Sequence, residues 1–154
     1  MSAPSHLLRK SSASGGELAE PREERMFFLF GTVMAGLAIL FGAFAAHALK
    51  GHVSADRYDD FLTGARYHLP QALALFAVSR ASVRWPGRAV SLAGWLFVAG
   101  IVLFCGSLYL LGATGARWFG AVAPVGGLAF VVGWISLTWG IVSHRRAPDA
   151  RTTG

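Results

Sequence analysis

The sequence predicts an all-α integral membrane protein, a four-helix bundle with a short interfacial helix before its second span. Three observations carry this. Of 154 residues, 54% are hydrophobic and only 14% charged, against roughly 25% charge in soluble domains. The charges fall in short clusters between long uncharged runs. The 19 glycines and 5 tryptophans suit closely packed membrane helices with aromatic residues at headgroup level.

The chain is short enough to form one domain. Residues 1–25, including "SSASGGELAEPREER", are polar and lack apolar periodicity, which predicts a disordered cytoplasmic tail. Its four glutamates argue against a mitochondrial transit peptide, which is poor in acidic residues. Residues 26–46 carry no charge, enough to cross a hydrocarbon core of about 30 Å at about 1.5 Å per residue. "AFA" at 43–45 resembles a signal-peptide cleavage site, but the apolar run exceeds the usual length of 7 to 15 residues. It is read as the first span.

Residues 54–66 open on Ser54, a good helix cap, and place Tyr58, Phe61, Leu62, Ala65 and Leu69 at helical spacing. They are expected to lie at the interface and lead into the second span, 68–83, which Gln71 and Arg80 interrupt. Residues 89–116 and 118–143 are free of charge and long enough to span with tilt. Residues 145–154 form a second cytoplasmic tail, so the transmembrane domain is expected over 26–144. Pro124, and Pro70 likewise, cost least if a helix begins beside them.

Lysine and arginine set the orientation. Arg22, Arg25, Arg80, Arg84, Arg88, Arg145 and Arg146 flank one side, and Lys50, Arg57, Arg66 and Arg117 the other. The positive-inside rule then predicts that both termini are cytoplasmic. The same clustering explains the net charge of +6 without nucleic acid, for which no binding module is present.

Small residues mark expected packing seams. In the fourth span Gly126, Gly133 and Gly140 recur every seven residues, with Ala129 and Ser136 between them; the first span has Ala35, Ala38, Gly42 and Ala45, and the third has Ala99, Gly106 and Ala113. Close approach through small residues is a main source of helix association in lipid. The seams serve the chain's own helices, a membrane-protein partner or a homo-oligomer.

"GAFAAHALK" at 42–50, "ARYHLPQALAL" at 65–75, "GWLFVAGIVLFCGSLYLL" at 94–111 and "APVGGLAFVVGW" at 123–134 together resemble the bacterial domain of unknown function 423 family, related to the eukaryotic transmembrane protein 256 group. The resemblance covers about residues 31–140. It implies a small multi-span protein of the bacterial inner membrane and no activity. The chain departs from the family pattern at Gln71, where a second histidine often follows Tyr67-His68, at Cys105, where serine is usual, and at Ala123, where threonine is common.

His47 at the end of the first span and His68 at the start of the second are expected near the same face, where they could meet and, with Gln71, form a ligand or proton site. Asp56, Asp59 and Asp60 lie in the loop between. The bland reading is that both histidines mark the interface. No phosphate loop, paired cysteines or His-Glu metal motif occurs, so no enzyme activity, metal or cofactor is expected. Two functions follow from this pattern: an accessory or assembly subunit packing against a larger membrane complex, or a minimal pore or carrier. The apparent gathering of polar groups toward the span ends favours the first.

Overall fold

The computed structural model describes residues 22–144, so residues 1–21 of the first expected tail and all of the second, 145–154, lie outside the described residues. The chain forms four helices: α1 (Arg22–Leu49), α2 (Ala55–Arg84), α3 (Arg88–Thr114) and α4 (Ala123–His144). A 3-10 turn over Arg117–Ala121 joins the last two. Three segments, Arg22–Leu49, Arg88–Thr114 and Arg117–Ser143, are long and apolar enough to cross a membrane.

α1 begins at Arg22, four residues before the uncharged run. Glu23 and Glu24 occupy its first turn, where the helix dipole favours negative charge. Its last turn, Ala45–Leu49, widens to π geometry before Lys50 and Gly51, whose φ of 81° reverses the chain. The helix expected at the interface over 54–66 is instead the first half of α2, continuous with the span for 30 residues. Pro70 therefore sits in mid-helix, not at a start. Its missing N–H is tolerated because the side chain is exposed and membrane helices accommodate such breaks. Pro124 does lie in the first turn of α4.

α2 is the centre of the bundle. Its buried side chains include Phe61, His68, Gln71, Leu75 and Val78. α1 and α3 both pack on it, and α4 packs on the outer side of α3. α3 also contains a π segment, Ile101–Cys105, and ends at Gly115, whose φ of 76° and N–H bond to the Leu111 carbonyl at 2.7 Å close the helix.

The tight contacts pair glycine with a larger neighbour. A Cβ added at Gly94 would overlap the Phe27 ring, at Gly100 the Phe130 ring, at Gly126 the Phe104 backbone, and at Gly112 the Phe61 Cβ at 2.7 Å. A ring that enters a glycine hollow fills space that two small residues would leave empty, and the dense packing supplies dispersion attraction that lipid cannot.

Candidate functional site

The fourth-span stripe faces α3: a Cβ added at Gly126 would overlap the Phe104 backbone, one at Gly133 would lie 3.1 Å from the Phe97 ring, and one at Gly140 2.7 Å from Val90 Cγ2. Ser136 donates to the Ala89 carbonyl at 2.9 Å, and Ala129 is half-buried beside it. In the first span Ala38 and Ala45 are buried, Ala35 and Gly42 half-buried. The third-span stripe points elsewhere. Ala99 and Ala113 are exposed, and a Cβ at Gly106 would meet nothing within 4 Å. α3 buries Val90, Ala93, Gly94, Phe97, Gly100, Ile101 and Cys105 instead, because rings from α1 and α4 fill its glycine hollows.

The exposed stripe borders a groove. At one end α1 and α3 touch, where Phe27 packs over Gly94 and Ser91 donates to Glu23 Oε1 at 2.9 Å. Toward the other end they splay, leaving a cleft of about 490 Å³ between Met34, Phe41 and Phe44 of α1 and Val102, Gly106 and Leu110 of α3. Phe61 and His68 of α2 form its floor, and Tyr109 closes the α3 side.

His68 is buried, with Nδ1 3.0 Å from Tyr109 Oη. Its Nε2, and Oε1 of Gln71 three residues later, are buried without a hydrogen-bond partner. The depth of His68 follows from three bonds. Arg57 Nε donates to the Gly112 carbonyl at 3.0 Å, and its Nη2 to the Ala113 carbonyl, at one end of the bundle. Ser79 donates to the Glu24 carbonyl at 2.9 Å at the other. His68 lies midway in sequence between Arg57 and Ser79, about 16 Å of helix from each.

This corrects the expected placement of polar groups at the span ends, because α2 begins at Ala55 and carries His68 to the middle. The two histidines are also not brought together. His47 is exposed on the π turn, six residues past Phe41, the α1 ring at the level of His68, which is about 9 Å of axial rise. Asp59 pairs instead with Arg66 at 3.7 Å on the exposed surface. Ser107 donates to its own helix at the Phe104 carbonyl, 3.0 Å away. Among the described residues no three His, Cys, Asp or Glu side chains gather so as to hold a metal ion.

Tyr109 and Arg57 are the site residues that motif reading passed over. A tyrosine inside an apolar run needs a hydroxyl partner when buried, and that signal was present in "GSLYLL". Arg57 gave no signal beyond its charge, because its acceptors are backbone carbonyls at the end of a helix 55 residues away.

Comparison with known proteins gives a consistent picture. A family profile described as "Protein of unknown function (DUF423)" matches residues 41–127. The chain is 40% identical over 121 residues to the UPF0382 membrane protein YwdK of Bacillus subtilis (strain 168), covering 78% of this chain and 98% of that relative. It is 37% identical over 122 residues to the UPF0382 membrane protein SSP2132 of Staphylococcus saprophyticus, covering 75% and 96%. No solved structure matches. With its helical bundle, its three apolar membrane-length segments and these relatives, the chain belongs to the DUF423 family of small bacterial membrane proteins.

Proposed function

We propose that the protein is a non-catalytic inner-membrane protein of four spans, both termini cytoplasmic, that serves as an accessory or assembly subunit of a larger membrane complex. The observation that carries this is the third-span stripe. The small residues of α4 are consumed within the chain, whereas Ala99, Gly106 and Ala113 remain open on the membrane face. A stripe of this kind lets another helix approach closely. Purification from the native membrane in mild detergent should yield a stoichiometric partner, and Ala99→Leu should release it without lowering thermal stability. A particle containing only this chain, or a partner retained by Ala99→Leu, would sink the proposal.

A pore or carrier is the second reading, favoured by the central depth of His68 and Gln71, since carriers hold their polar groups near the midplane. Against it, the groove lies between two neighbouring helices and opens toward lipid rather than along the bundle axis. Flux in reconstituted vesicles that His68→Ala or Gln71→Ala abolishes would favour this reading over the first.

A further inference from the structure

We propose that the groove between α1 and α3 binds a lipid-soluble carbonyl compound of the quinone type, whose carbonyl oxygen accepts the proton of His68 Nε2. The groove shares Gly106 and Ala113 with the stripe on which the subunit reading rests, whereas Ala99, the position that tests that reading, lies outside it. Tyr109 Oη has one proton to place, and among the described residues its hydrogen-bond contact is His68 Nδ1. We assign the hydroxyl as donor to Nδ1, the tautomer that leaves fewer groups unpaired, so that a neutral imidazole carries its proton on Nε2. That N–H is buried with no acceptor, a costly arrangement that a guest with an acceptor relieves.

Depth selects the kind of acceptor. His68 stands about 16 Å of helix from both Arg57 and Ser79, near the middle of a 30-residue helix, which sets it at the centre of a hydrocarbon core about 30 Å thick. Glycerolipid ester carbonyls lie at the boundary of that core. A quinone instead carries its carbonyls on an uncharged ring that dissolves at the centre. The groove, about 490 Å³, falls in the range of about 300–1,000 Å³ usual for small-molecule sites. Aromatic faces line it: Phe41, Phe61 and Tyr109 pack on one another, with centroids 4.5 Å apart for Phe41 and Tyr109 and 4.6 Å for Phe61 and Tyr109, so a flat ring lies against the outer face of this cluster. Nε2 has no open surface of its own, so the guest enters as the α1 wall rearranges. Phe41, half-buried and 6.3 Å from the imidazole between centroids, is the side chain that turns. Binding leaves the oxidation state of the guest unchanged.

The test is titration of the purified full chain in dodecyl maltoside with a decyl-substituted benzoquinone, followed by equilibrium dialysis and by the nitrogen-15 resonance of His68 Nε2 in histidine-labelled protein. Saturable binding with a shift of that resonance is expected. Affinity should fall at least tenfold in His68→Phe, and equally in Val102→Trp, which fills the groove from its exposed rim and leaves the buried pair untouched. Absence of saturable binding, or unchanged affinity in Val102→Trp, overturns the site. An equal Nε2 shift produced by phosphatidylglycerol without quinone assigns the N–H to a glycerolipid ester and overturns the quinone assignment.

Discussion

The α3–α4 contact and the α1–α3 groove are built from the same residue types and solve opposite problems. Between α3 and α4, each glycine of the fourth-span stripe receives a backbone or a side chain of α3. Between α1 and α3, Gly106 faces open space, and the polar pair His68 and Tyr109 lies at the bottom. A small residue is thus a seam only where something large arrives to fill it. Where nothing arrives, it leaves room for a guest or a partner.

The same substitution on the two sides gives the sharpest contrast. Gly126→Ala pushes a methyl group into the Phe104 backbone, which no rotamer change relieves, and should cost about 3 kcal/mol in a denaturing-detergent unfolding titration. A loss below about 1 kcal/mol would mean that the two helices are not held so closely. Arg57→Ala removes two charge-assisted bonds to the end of α3 and should cost about 2 kcal/mol in the same titration. Gly106→Ala should change stability by less than about 0.5 kcal/mol, because its Cβ enters unoccupied space. A large loss there would abolish the distinction between the two regions.

The spans were legible where charge was absent. Residues 26–46, 89–116 and 118–143 foretold α1, α3 and α4 because lipid excludes ionised groups over that length. α2 was harder to read, since it is surrounded by its neighbours and can carry Gln71, His68 and serines that a lipid-facing helix avoids. Placing the start of that helix at His68 rather than Ala55 moved the histidine from the middle of the helix to its end. The α4 stripe was legible because its partners lie along one neighbouring helix and so preserve its period. The buried face of α3 was not, because its hollows are filled by Phe27, Phe61 and Phe130 from three different helices, and no local pattern encodes their arrival.

The Arg57 clamp has a consequence for alignment. Side chains seated in glycine hollows, Phe61 at Gly112 among them, already oppose axial sliding, and directional polar bonds fix the register further. Two directional bonds to the terminal carbonyls of α3 set a datum for α2. From that datum a rigid stretch of helix carries the setting inward to the imidazole. A slip of one turn at the Arg57 end of the bundle would move His68 about 5 Å past Tyr109, so the buried polar pair is calibrated from the end of the helix that carries it.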